Sequence, residues 1–96
     1  MKYLIVDAEV NTTGLRDQNE SGHIHPEDLQ LSLETTQRLN EWVARYEAEH
    51  YNGFENTTLI DELDQEGKEI ALIIKNELSD VKLQYFSAAK LTTEFI

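Results

Sequence analysis

Three rhythms of apolar and polar positions divide the chain. The first is the short apolar run "KYLIV", aromatic, aliphatic and β-branched, which predicts a buried strand over Tyr3 to Val6. The second has helical spacing and occurs twice. After Ser32, a suitable N-cap, Leu39, Trp42, Val43 and Tyr46 recur at i, i+3, i+4 and i+7, one face of a first helix that ends near Asn52 and Gly53. Thr57 or Thr58 then caps a second helix, whose face reads Leu59, Leu63, Gly67, Ile70, Ile74 and Leu78. The third rhythm is the period of two in "VKLQYF", which predicts a strand over Val81 to Phe86.

Between the first strand and the first helix the composition turns to Asn, Thr, Gly, Asp and Ser, a long polar loop covering about residues 11–31. Gly14 and Gly22 could close a small hairpin within it. The element order is strand, loop, helix, helix, strand. That is an α+β domain, with a helical hairpin on a small sheet of two to three strands. Two strands alone are marginal, so a third is expected from the loop, the tail or a second copy. The tail, residues 87–96, closes on Phe95 and Ile96, either docked on the core or free to contact a partner. Gly67 lies on the apolar face of the second helix, where a missing side chain admits a close neighbour, with Trp42 or Tyr46 expected there.

Length confirms one domain. At 96 residues and 11.1 kDa the chain can bury about 65% of its unfolded surface, enough for a single small core. Charge changes the picture more. Nineteen acids against eight bases give −11, which repels phosphate backbones and anionic lipid and attracts basic partners. Direct binding to nucleic acid or membrane is therefore not expected. The chain has no cysteine, which removes disulfides and thiolate metal sites. The apolar run at the N-terminus is too short for a signal peptide or a membrane span, so the expected location is the cytoplasm.

The acid-rich stretch "DELDQEG", Asp61 to Gly67, invites three chemistries. As a calcium loop it fails, because the closing bidentate acid would fall on Ile73. As catalytic machinery it has no accompanying nucleophile motif, phosphate loop or histidine tied to a serine, and the chain is read as a non-enzyme without cofactor. "HIH", His23 and His25, could place two imidazoles on one face of an extended segment, but no further ligand has diagnostic spacing, and two loop histidines is the favoured reading. His50 is expected to face the C-terminus of the first helix.

The third chemistry is a negative surface. On a helical wheel Asp61 and Asp64 share a flank with Lys68 and Lys75, Asp64 pairing with Lys68 at i, i+4. Glu62, Glu66 and Glu69 form the other flank with no lysine among them. The first helix carries Glu34 before Arg38 and Glu41 before Arg45, so its charges are expected to pair internally. The unpaired stripe Glu62, Glu66 and Glu69, followed by Asp17 and Glu20 of the loop, is the expected partner-binding surface.

The segments "LRDQNESGHIHPEDLQLS", "LNEWVARYE" and "LDQEGKEIALIIKNELSDVKLQYFS" together resemble small acidic immunity proteins of bacterial contact-dependent growth inhibition and related polymorphic toxin systems. The likeness spans Leu15 to Ser87, and its motifs are structural. It implies that the chain binds a cognate toxin domain, often a nuclease with a basic groove, and blocks it by stoichiometric protein–protein inhibition. Occlusion of the groove and binding at an exosite both stay open, as do monomer and homodimer. The alternative is an acidic nucleic-acid mimic that inhibits DNA-binding proteins, which would need acids at phosphate-like spacing along a face.

Overall fold

A computed structural model describes residues 2–19, 22–78 and 80–96. Among the described residues, four strands and two helices follow the order β1 (Lys2–Asp7), β2 (Leu15–Asp17), α1 (Leu33–Tyr51), α2 (Thr57–Glu77), β3 (Val81–Ser87) and β4 (Thr92–Phe95), with a 3-10 turn, Pro26–Leu29, before α1. The α+β class and the helical hairpin are as expected from the sequence, and the sheet is larger. Both the loop and the tail contribute a strand, giving the order β2-β1-β3-β4. β1 and β3 run parallel at the centre, and β2 and β4 pair antiparallel at the edges. Among the described residues no helix is long and apolar enough to cross a membrane.

The period-two pattern decides which sheet face meets the helices. Leu4 and Val6 lie opposite Leu83 and Tyr85 in the central register, and all four are almost completely buried. They form the inner face, and successive side chains alternate away from it. Above them α1 contributes Leu39, Trp42, Val43 and Tyr46, all buried as their spacing predicts. The loop also pairs with itself. Arg16 bridges His23, and the Ile24 amide donates to Leu15 O at 2.9 Å. Gly14 is fixed there by two requirements: its φ is +85°, and a Cβ would fall 2.5 Å from Val43 Cγ2.

Gly67 is where the layers come closest. A Cβ on it would collide with the Tyr85 ring and lie 2.6 Å from Trp42 Cζ2. Trp42 is the expected neighbour, and Tyr85 of β3 is the second. The helices are further tied by Trp42 Nε1, which donates to Leu63 O at 2.8 Å. Trp42 also meets Tyr46 and Tyr85 at ring separations of 5.7 and 5.9 Å, within the range of favourable aromatic pairs.

The helix termini bring one agreement and one correction. Ser32 caps α1 as expected, its hydroxyl accepting from the Thr35 amide at 3.2 Å. Asn56, and neither threonine, caps α2, its side-chain oxygen accepting from the Leu59 amide at 3.0 Å. Asparagine satisfies a free first-turn amide while both threonines enter the helix. Glu77, in the last turn of α2, reaches the start of α1. Its Oε1 accepts from the Ser32 amide at 2.8 Å, and its Oε2 accepts from the hydroxyls of Ser32 and Thr35. Burial alone would raise this carboxyl, but those three donors hold it below the usual carboxylate range.

At the other end the tail is docked. The Ile96 amide donates to Leu83 O at 3.0 Å, and Ile96 packs against the core. Phe95 is left 85% exposed.

Candidate partner-binding site

The acidic stripe lies along the seam between the two helices. A shallow groove of about 480 Å³ is lined there by Arg38, Thr58, Asp61, Glu62, Gln65, Glu66 and Glu69. The structure corrects the expected pairing. Arg38 and Arg45 reach across to α2 instead of back to Glu34 and Glu41. Arg38 Nη2 lies 3.1 Å from Glu69 Oε2, its Nε lies 3.7 Å from Glu66 Oε2, and Arg45 also pairs with Glu66. Among the described residues Glu34 and Glu41 make no ion pair. A helix seam places the guanidinium of one helix beside the carboxylates of the other, so a pair that clamps two elements replaces a pair along one.

The stripe is thus partly neutralised. Glu66 retains 22% side-chain exposure and Glu69 54%, while Glu62 is exposed with no ion pair among the described residues. Asp61 pairs with Lys90 at 2.6 Å. Four carboxylates line the groove, and Arg38, Arg45 and Lys90 pair with three of them, so its excess negative charge sits at Glu62. Asp17 ends the edge strand β2, on the opposite layer, where its Oδ1 accepts from the Asn19 amide at 2.7 Å. The structure does not bring it to the stripe, and Glu20 lies outside the described residues.

Asp64 is the largest departure from the sequence reading. It does not pair with Lys68 on the surface; only 4% of it is exposed. Its Oδ1 accepts from Tyr46 Oη at 2.9 Å and from Tyr85 Oη at 2.6 Å, and its Oδ2 from Ser87 Oγ at 2.9 Å. Lys90 Nζ stands 3.5 Å from Oδ2, and Lys68 pairs instead with Glu94 of β4 at 2.7 Å. Burial, with the hydrogen bond to Asp64, drives the Tyr85 hydroxyl far above its ordinary value, and burial likewise raises Tyr46. Both phenols stay protonated and serve as donors. The cluster joins α1, α2 and β3 through one carboxylate.

A second polar region lies at the carboxyl ends of β1 and β3. Asp7 is also 4% exposed, and its Oδ2 accepts from Arg16 Nε at 3.0 Å. Burial pushes its carboxyl above the usual range, with the Arg16 hydrogen bond and charge pulling the other way. Nearby, His23 Nε2 is 3.8 Å from Glu9 Oε2. His25 is exposed before the 3-10 turn. His50 sits in the last turn of α1 as expected, its ring 5.2 Å from that of Phe54. Among the described residues no three His, Cys, Asp or Glu side chains group closely enough to hold a metal ion.

Fold and surface together define a small α+β domain whose Tyr46, Tyr85 and Asp64 are committed to structure and whose helix seam presents acid to solvent. A family profile described as Serratia CdiI immunity protein-like matches residues 2–88. The chain belongs to this family of contact-dependent growth inhibition immunity proteins, in agreement with the resemblance carried by its sequence motifs. No curated protein matches the chain significantly. The matched segment contains β1 through β3 and both helices, and it ends before β4.

Proposed function

We propose that this chain neutralises its toxin by stoichiometric binding in the cytoplasm of the producing cell, without catalysis. The partner is a basic toxin domain, a nuclease whose phosphate-binding groove is the complement of this surface. The observation that carries the reading is the α1–α2 groove, where four carboxylates meet three cations and Glu62 is left over, on a chain of net charge −11. Glu62 leads the contact because it is exposed and makes no ion pair among the described residues. Glu69 follows, and Glu66 holds the seam through Arg38 and Arg45. An interface of standard size takes about 800 Å² per partner, roughly one seventh of the 5721 Å² surface. Segments beyond the groove therefore contribute, with Asp17 and Glu20 as the second set.

The test is a binding measurement with the toxin domain encoded beside the gene, at low and high salt. A Glu62→Lys, Glu69→Lys double variant leaves the Arg45–Glu66 pair in place. It should slow association by about tenfold at low salt and by less at high salt, because rim charges act through steering. Unchanged rates at both salt concentrations would remove the groove from the interface.

A further inference from the structure

One polar region shares no lining residue with the helix-seam groove. The carboxyl ends of the adjacent parallel strands β1 and β3 and the turn after β1 enclose a cleft of about 560 Å³, within the size range of small-molecule sites. Asp7, Glu9, Arg16, His23, His50 and Phe86 line it. Asp7 is buried, yet only Oδ2 is engaged, by Arg16 Nε; Oδ1 is buried and accepts no hydrogen bond among the described residues. A buried carboxylate oxygen without a donor is costly and rare in native structures, and such an atom calls for a partner.

The surroundings select the charge of that partner. Arg16 already spends its Nε on Asp7, and the Glu9 carboxylate stands at the cleft with 63% side-chain exposure. An anion would meet the carboxylates of Asp7 and Glu9, whereas a cation, although Arg16 and two histidines share the lining, would meet an acceptor that none of them uses, in a setting of low dielectric where a charge-assisted bond is strengthened. Phe86 adds an aromatic surface for an alkyl stem or a guanidinium plane.

We infer that this cleft receives an arginine or lysine side chain of the toxin, and that a turn of the Asp7 carboxylate brings Oδ1, closed off in the free chain, out to accept from its cationic head. The inference rests on the reading of the chain as a toxin-binding immunity protein and adds a second anchor, separate from the helix-seam groove. Buried arginines of this kind dominate many interfaces.

The first experiment follows backbone amide resonances of the purified chain during titration with argininamide, with citrullinamide as the uncharged control. Saturable shifts at Asp7 to Glu9 and Phe86 to Ala88 with argininamide alone are expected, and Asp7→Asn should abolish them. Val10→Trp, which fills the cleft while leaving the carboxylate in place, should abolish them too. Against the toxin domain, Asp7→Asn should weaken affinity at least about thirtyfold, the effect of removing one member of a buried charged pair.

Equal response to the two probes, or no response, overturns the cation site. So does full-strength toxin binding by folded variants. Should Asp7→Asn fail to fold, Val10→Trp decides. If the unsubstituted chain does not bind the toxin, the immunity reading falls on its own, and the argininamide titration still decides whether the cleft holds a cation.

Discussion

Asp64 and Asp7 are buried to the same degree and are provided for very differently. Asp64 has two tyrosine hydroxyls on one oxygen and a serine hydroxyl with a nearby lysine on the other. Asp7 has one arginine on one oxygen and nothing on the other among the described residues. The first arrangement engages both oxygens and ties three elements together. The second leaves acceptor capacity at the lining of a cleft. Burial alone therefore does not distinguish a structural carboxylate from a binding one; the count of donors does.

The sharpest way to break this comparison is to remove Asp64. Asp64→Ala strands the Tyr85 hydroxyl, removes the acceptor that Tyr46 and Ser87 share with it and should cost about 3–5 kcal/mol in denaturant unfolding. A loss below about 1 kcal/mol would mean that the cluster is not a structural centre. Tyr85→Phe deletes one donor to a charged acceptor and should cost about 1.5–3 kcal/mol.

Glu77 provides an exposed reference. Glu77→Gln weakens a cap at the positive end of α1 and should cost about 0.5–1 kcal/mol. Its folded value is lowered, so its stabilisation is complete above the unfolded value and is lost as pH falls through the folded one. The substitution should flatten the acid limb of the stability profile.

Asp7→Asn should have the smallest effect on folding, within about 1 kcal/mol in either direction. Its folded value is raised, so the unfolded chain ionises first, and this group's contribution falls as pH rises from the unfolded to the folded value. Asparagine should erase that slope, and urea unfolding at several pH values would detect it. A large loss of stability would place Asp7 beside Asp64 as a structural group.

Much of this was legible in the sequence. The spacing of Leu39, Trp42, Val43 and Tyr46 gave the buried face of α1, and Gly67 on an apolar stripe announced a close approach. Asp64 is hidden when the stripe of α2 is counted from Leu59, one residue early. The buried series is Ile60, Leu63, Asp64, Gly67, Ile70, Ala71 and Ile74. Starting at Ile60 places Asp64 at i+4, in the middle of that face, and its charge argued for the surface only because its donors lie on distant segments.

The crossing of Arg38 and Arg45 to α2 was hidden for a related reason. Spacing along one helix suggests internal partners and carries no information on which helix will lie alongside. β2 and β4, with three and four residues, are too short to show a period, and each is completed by its neighbour in the sheet. Asp7 carries no pattern at all, since it ends a strand and only the fold sets its surroundings.

The Glu77 bracket has a consequence for the motion of the helical hairpin. Helix termini ordinarily fray one by one, yet here a single side chain fastens the last turn of α2 to the first turn of α1. Their amide protons should exchange with solvent as one unit, at a common opening free energy, and Glu77→Gln should split them into two independently fraying ends.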